Sequence, residues 1–593
     1  METTRLPYRA LIAILLIALI GRLLLLASNT VSFHSDEAVV ALMARHILAG
    51  ERPVFFYGQA YMGSLDAWLV AFGFRLFGES VLAIRIIQSI LYLAIVATAY
   101  VAAWRLSGRR VIAAVAALVI ALPPVLVALY TTATLGGYNE TLLFGNLLLI
   151  LGYEVTHDHR QSLWRWAALG IAAGLGWWTN GLIIAYALPV GLLIVVDVAR
   201  GIWNTRSAGG SKPPASEVSR VHGAERSASV TSQSASASAS NKLTRGKVKQ
   251  PASAGLQAFL AAVDLKPAAE IALPLLFALI FFVAGSAPWW AFNLEHDFAP
   301  LRFYLVGGER GEFAGTEVLP LPVPQRLIGM IALGLPTVFG LRFPWAAEYF
   351  LPVIGAAVLL IYAAAVYRLM RRPSPLKPDA RLLIVSMIGL FLALFVVSRF
   401  SIDPTGRYFL PLVLPLGIAL GALVDSLYRS RRGLALAICG LVIGYHVAGQ
   451  VTVGAAMTPG FSTQFNLETH IPNDDDDELI AFLEENGLYH GYTNYWISFR
   501  LAFLSGERMQ YSAALPYKTD LTYTPADDRF PPYREASDAA ERIAYITANV
   551  EAVKARLEAI FAEQGITYDY ARVGVYHVYY NFEPRPPRPP LEF

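Results

Sequence analysis

Apolar runs of about twenty residues recur along most of this chain, each long enough to cross roughly 30 Å of hydrocarbon as a helix. Eleven are placed near residues 9–28, 80–104, 111–130, 138–156, 163–179, 180–199, 269–290, 350–367, 382–399, 408–427 and 434–452. The pattern changes after 452, where polar, Tyr-rich sequence runs to residue 593 with no stretch able to span. The expected fold class is therefore a mainly α, multi-pass membrane protein of about eleven transmembrane helices, followed by a small C-terminal α/β domain. The first apolar core, Ala10 to Ala27, exceeds the roughly 7–15 residues of a signal peptide's apolar region and reads as an uncleaved anchor.

Four parts follow from the spacing. Residues 1–200 form an N-terminal transmembrane half with a first loop over 29–79, and 201–268 a Ser/Ala/Gly/Pro-rich basic linker with too little apolar surface to order itself. Residues 269–452 form a second transmembrane half with a loop over 291–349, and 453–593 the terminal domain. Within the first loop, Val39, Val40, Leu42, Met43 and Ile47 share one arc of a helix that Gly50 ends, and Leu65, Trp68, Leu69, Phe72 and Leu76 mark a second. Both are too short and one-sided to span, so they are expected to lie in the membrane surface. In the terminal domain, "NDDDDELIAFLEENG" predicts a helix, "SDAAERIAYITANVEAVKARLEAIFAEQG" one long amphipathic helix or two, and "RVGVYHVYYNF" a strand.

Charge sets the orientation. With the N-terminus inside, Arg5, Arg9, Arg105, Arg109, Arg110, Arg160, Arg165, the linker, Arg371, Arg372 and Arg429 to Arg432 fall on one face, which the positive-inside rule makes cytoplasmic. Apolar "RLIGMIALGLPTVFG", 326–340, would invert every later loop if it crossed, so it is read as re-entrant or interfacial. The first loop and terminal domain are then extracytoplasmic, in a plasma-membrane protein. A net charge of +3, with basic residues spread among loops, offers no nucleic-acid face. The lone Cys439 forms no disulfide within the chain.

Candidate chemistry gathers on the outer side. Ser35-Asp36-Glu37 stands directly after the first span, where the plain reading is a helix cap and an acid meeting the dipole. Glu140 opens the fourth span, and Arg407 with Tyr408 sits on the outer side against the positive-inside bias. A guanidinium at the leaflet edge suits bidentate binding of a lipid phosphate. Arg399 nearby is read as snorkelling, and Trp289 and Trp290 as interfacial aromatics.

"SDEA" after the first span, "PVFFYGQAYMGSLDAWL" between two surface helices, the acid of the fourth span and "GRYFLPLVLP" together resemble the GT-C superfamily of integral-membrane glycosyltransferases over about residues 1–452. The branch is that of protein O-mannosyltransferases and lipid A aminoarabinose transferases. The resemblance implies inverting transfer of a sugar from a polyprenyl-phosphate donor to a lipid, glycan or protein acceptor at the outer face. It implies catalytic roles for Asp36, Glu37 and Glu140 and a donor-phosphate site at Arg407 and Tyr408. Asp36 is the candidate base, its pKa expected to be raised by the apolar interface. Asp36 and Glu140 would carry a divalent cation, Mg or Mn, if one takes part. His34, Tyr57, Gln59 and Tyr61 form the expected substrate loop; His34 lacks metal-ligand partners at usable spacing and is expected at the surface. The alternative is a flippase for polyprenyl-linked glycans, which would place its charges near the bilayer midplane.

Overall fold

The computed structural model describes residues 6–157, 162–209, 266–306, 322–398, 403, 405–455, 458–589 and 591. Helices occupy all eleven predicted positions. Among the described residues seven are long and apolar enough to cross a membrane, or eight if the bent pair Ala272–Gly285 and Ala287–Glu295 counts as one. The other three differ from the expectation for readable reasons. The third run breaks at Pro123 and Pro124 into Arg110–Ala121 and Val125–Tyr130, because proline supplies no amide hydrogen to continue the ladder. The fourth, Tyr138–Thr156, carries Glu140 and Glu154, and the fifth, Leu163–Thr179, has only 17 residues. Val323–Val338 is apolar but too short to count as a span.

The chain divides into two compact units, Met1–Ile194 with Pro274–Phe593, and Val195–Leu273. The second consists, among described residues, of the helical stretches through Gly209 and from Lys266. Most of the expected linker lies outside the described residues, as does Arg399.

In the first unit, α1 (Tyr8–Ala27) buries only Ile14, Ala18 and Arg22 and exposes Leu16, Ile20, Leu23 and Leu24, the distribution of a lipid-facing helix. Among the described residues Arg407–Tyr428 is the most enclosed of the spanning helices. Its far end is tied by the Arg109–Asp425 ion pair.

In the first loop one of the two helices expected to lie in the membrane surface departs from that expectation, while the second, Leu65–Phe77, keeps Phe72, Leu76 and Phe77 exposed. α2 (Ser35–Ala49) is buried from Glu37 to Ala44 without interruption, and again at His46 and Ile47. A one-sided arc cannot produce that pattern; a second surface must cover the polar-predicted face. One side packs on α3 (Leu65–Phe77), and the other on the helix Tyr495–Leu504 of the terminal domain through Tyr495, Phe499, Ala502 and Phe503. Polar bonds border this seam: Arg45 donates to the Phe503 carbonyl at 3.0 Å, and His46 Nε2 lies 2.8 Å from Glu507 Oε1. α4 (Val81–Ser107) follows α3 directly.

The terminal domain is α/β, as expected, but two of its elements differ. "RIAYITANV" is not helical: β5 (Ala544–Ala548) is a fully buried strand between the helices Pro531–Ala539 and Glu551–Glu563. A short run with Tyr, Ile and Thr, ended by Asn549 at φ 53°, suits a buried strand better than a helix turn. "RVGVYHVYYNF" holds a hairpin of β6 (Thr567–Val573) and β7 (Tyr576–Glu583). With β3 (His490–Thr493) and β4 (Gln510–Ala513) they form a five-stranded sheet of order β4-β3-β5-β7-β6. β3 pairs β4 and β5 in parallel, while β7 is antiparallel to both its neighbours. β1 (Phe55–Phe56) and β2 (Gln59–Gly63) form a separate small hairpin in the first loop.

The seam predicts a separable energetic effect. Phe503, its ring 5.3 Å from Phe33 and 6.0 Å from Phe74, anchors the docking. Phe503→Ala is expected to cost about 3–5 kcal/mol and to raise amide hydrogen exchange in α2 and Tyr495–Leu504 while β5 and β7 stay protected; unchanged exchange in α2 would contradict the docking.

Candidate active site

Between the spans, the first loop and the terminal domain lies a cavity of about 380 Å³. Its wall includes Asp36, Gln59 and Tyr61 from the first loop, and Tyr130 and Tyr138 from the broken third run and the fourth. Asp403, Arg407 and Tyr408 come from the central span's start, and Thr463, Tyr495, Trp496, Tyr517, Asp527 and Arg529 from beyond residue 452.

Arg407 opens a 3₁₀ turn, Arg407–Leu412, that leads into the central span. Gly406 precedes it at φ 86°, where an added Cβ would stand 1.8 Å from Thr337 Oγ1, so only glycine permits this approach. Arg407 Nε lies 2.6 Å from Asp403 Oδ2, and a terminal nitrogen donates to the Tyr408 hydroxyl at 3.3 Å. These contacts fix the guanidinium plane while using only part of its five donors. Tyr408, Tyr130, Tyr138 and Tyr61 surround it with hydroxyls.

Asp36 does not cap its helix. α2 starts with no side-chain cap, and the carboxylate turns into the cavity instead. It accepts from Thr463 Oγ1 at 2.7 Å and from the Tyr495 hydroxyl, and Arg529 stands 3.7 Å away. The raised pKa expected for this group is corrected by that surrounding. Burial alone would raise it, but Arg529, His34 and the hydrogen bonds from Tyr495 and Thr463 outweigh burial and hold the carboxyl below its ordinary range. Burial pushes the Tyr495 hydroxyl well up, so it remains a donor. Arg529 is itself clamped: its guanidinium sits over the rings of Tyr495 at 4.5 Å and Phe56 at 5.3 Å. Gly58, at φ 70°, lets the first loop approach its backbone, since a Cβ there would lie 3.1 Å from the Arg529 Cα.

The structure therefore brings Asp36, Gln59, Tyr61, Arg407 and Tyr408 together, and places the other expected residues elsewhere. Glu37, adjacent in sequence, points about 100° further around the helix, into the protein. Fully buried, it accepts from both terminal nitrogens of Arg85, the second at 2.7 Å, and from the Thr134 amide at 3.1 Å. Glu140 is buried against Asp66, which accepts from Gln88 Nε2 at 2.9 Å and the Gly136 amide at 3.1 Å. Burial pushes the Asp66 carboxyl up. His34 is buried rather than exposed, its ring nitrogens 3.3 Å from Thr463 Oγ1 behind the cavity wall. Tyr57 stacks on Phe530 and lies 2.8 Å from His46 Nδ1, bracing the docking seam.

A divalent cation shared by Asp36 and Glu140 does not fit this arrangement. Glu140 faces Asp66, whereas both Asp36 oxygens face donors. Asp403 is likewise committed to Arg407. Among the described residues no group of three or more His, Cys, Asp or Glu is placed to hold a metal.

Sequence reasoning missed Arg529, Asp527, Thr463, Trp496 and Tyr517, because the family resemblance stops near residue 452 and no local motif marks them. Asp403 stands three residues before the "GRYFLPLVLP" motif, where its i, i+4 spacing to Arg407 was the available signal.

Neighbouring carboxylates with different partners should respond differently. Glu37→Ala leaves Arg85 buried without its partner, a loss of about 3–5 kcal/mol, read as a large drop in Tm in detergent; Asp36→Asn, which keeps its shape and one acceptor oxygen for Tyr495 while its amide can donate to the rotatable Thr463 hydroxyl, should lower Tm less.

Residues 64–208 match the family model of dolichyl-phosphate-mannose-protein mannosyltransferases. No curated protein matches this chain by sequence. ArnT from Cupriavidus metallidurans bound to undecaprenyl phosphate superimposes with a TM-score of 0.51 at 15% identity, over 96% of this chain and 97% of that one. Its apo form gives 0.50 at 13% identity, over 92% and 93%. An alignment that runs nearly end to end on both chains includes the terminal domain as well as the spans. The chain is thus a multi-pass membrane protein with the fold of the GT-C superfamily of integral-membrane glycosyltransferases.

Proposed function

We propose that the chain moves a sugar from a polyprenyl-phosphate donor to an acceptor hydroxyl in this cavity, at the extracytoplasmic face of the plasma membrane, with inversion at the anomeric carbon. The observation that carries the reading is that Arg407 and Asp36, 371 positions apart in the chain numbering, line one cavity at the start of the central span. The ArnT that shares the fold was crystallised with undecaprenyl phosphate, which supports a lipid phosphate as the leaving group. The clustering of basic loops on the opposite side of the spans supports the orientation.

The chemistry follows from the charges. As the bond between the anomeric carbon and the phosphate oxygen breaks, negative charge grows on the phosphate, and Arg407, pre-aimed by Asp403 and Tyr408, is placed to offset it. Tyr61, Tyr130, Tyr138 and Tyr408 supply further hydroxyl donors. The sugar carbon becomes electron-poor in the same step, as in other glycosyl transfers. Asp36, kept ionised by its donors, offers fixed negative charge and an acceptor for sugar hydroxyls. The acceptor is a lipid, glycan or protein hydroxyl. A group engaged by two hydroxyl donors and a guanidinium is a weak base, so the acceptor's proton calls for another residue.

Membranes containing the chain, supplied with radiolabelled hexosyl and pentosyl undecaprenyl phosphates, should release undecaprenyl phosphate as the sugar moves to acceptor. Arg407→Ala is expected to lower that turnover about 10²–10³-fold, and Asp36→Asn to abolish it while donor binding persists. Movement of intact sugar-lipid across the bilayer without release would contradict transfer and favour the flippase.

A further inference from the structure

We propose that Asp527, from the terminal domain, is the residue that takes the acceptor's proton. The assignment rests on the transfer reading above and adds the base that Asp36 cannot supply.

Among the described residues three carboxylates line the cavity: Asp36, Asp403 and Asp527. Asp36 is held by Tyr495, Thr463 and Arg529, and Asp403 by Arg407 and by Thr405, whose amide donates at 2.8 Å. Among the described residues Asp527 is the one of the three whose side chain has no hydrogen-bond or ion-pair partner, although it is only partly exposed. Its neighbour Asp528 takes the local cation instead, accepting from Arg534 Nε at 2.5 Å.

The segment that carries Asp527 is fixed in place. It closes the 3₁₀ turn Pro525–Asp527, with its amide donating to the Thr524 carbonyl at 2.9 Å. Arg534 reaches both Asp528 and the Tyr523 hydroxyl, the latter at 3.0 Å, and Lys518 Nζ donates to Thr524 Oγ1 at 3.3 Å. A rigid turn that presents an uncommitted carboxylate to a cavity fits a base better than a mobile surface acid does.

The surroundings tune it. Burial raises its pKa to about 6, against the lowering pull of Arg529 and Lys518 and with a smaller raising push from Asp36. Tyr495 and Tyr517 line the same cavity and interact with its charge. Asp36 and Asp527 thus have proton affinities pushed in opposite directions within one cavity, the division expected when one carboxylate remains charged and the other exchanges a proton. A base is most useful when its pKa lies near the working pH.

The step balances. The acceptor O–H proton passes to an Asp527 carboxylate oxygen as the acceptor oxygen bonds to the anomeric carbon. The bond from that carbon to the phosphate oxygen breaks, its electron pair leaves with polyprenyl phosphate against Arg407, and Asp527 then releases its proton to water.

The test is turnover of the undecaprenyl-phosphate sugar panel by the full chain in membranes, as wild type, Asp527→Asn and Asp527→Glu. Wild-type kcat should fall as pH drops below about 6, where the base becomes protonated. Asp527→Asn should lower kcat about 10²–10⁴-fold with donor KM unchanged and that acid limb gone, and Asp527→Glu should restore part of the rate together with the limb. Wild-type kcat in Asp527→Asn, or an acid limb that survives the substitution, overturns this assignment alone. A wild type that releases no undecaprenyl phosphate from any donor overturns the transfer reading, and the assignment with it.

Discussion

Helix α2 has no free face, and the site depends on that. Its apolar side meets α3, while the side left over is covered by Tyr495, Phe499 and Phe503 of the terminal domain. Each such aromatic removed from water contributes on the order of 1.5–3 kcal/mol, enough to hold the domain against the first loop. The docking fixes where Asp36 points. Tyr495 packs on α2 and in the same place donates to the Asp36 carboxylate, so the contact that seats the domain also sets the charge in the cavity.

From that constraint the division of labour among carboxylates follows. Adjacent positions on a helix point about 100° apart, so Asp36 and Glu37 cannot serve one site. Glu37 turns inward to Arg85 and ties α2 to α4; Asp36 turns to the cavity. Charge neutrality is kept locally, with Arg407 beside Asp403 and Arg529 beside Asp36. Arg407 and Arg529 enter from opposite components, one from the spans and one from the terminal domain.

Much of this was legible in the sequence. Apolar runs located each of the long spanning helices among the described residues, since a span must be about twenty residues of largely apolar chain. Asp36, Arg407, Tyr408, Gln59 and Tyr61 were legible through the motif around each. What the sequence hid is tertiary. The burial of both faces of α2 depends on a partner surface 459 positions away, the separation of Asp36 and Tyr495, and Glu140's pairing with Asp66 depends on how two helices meet. The strand at Ala544–Ala548 was masked by good helix formers on either side. Arg529 and Asp527 lie in a turn-rich segment whose composition resembles any surface loop.

The account requires one pocket built by spans, first loop and terminal domain together, with the lipid phosphate at Arg407. The most direct measurement is a structure of the full chain in lipid with undecaprenyl phosphate bound. The account predicts the phosphate within hydrogen-bonding reach of Arg407, in the cavity that Asp36 and Asp527 line, with the prenyl chain leaving towards the bilayer. A phosphate seated outside that cavity, or a cavity that loses Asp36 from its wall when the lipid binds, would contradict it.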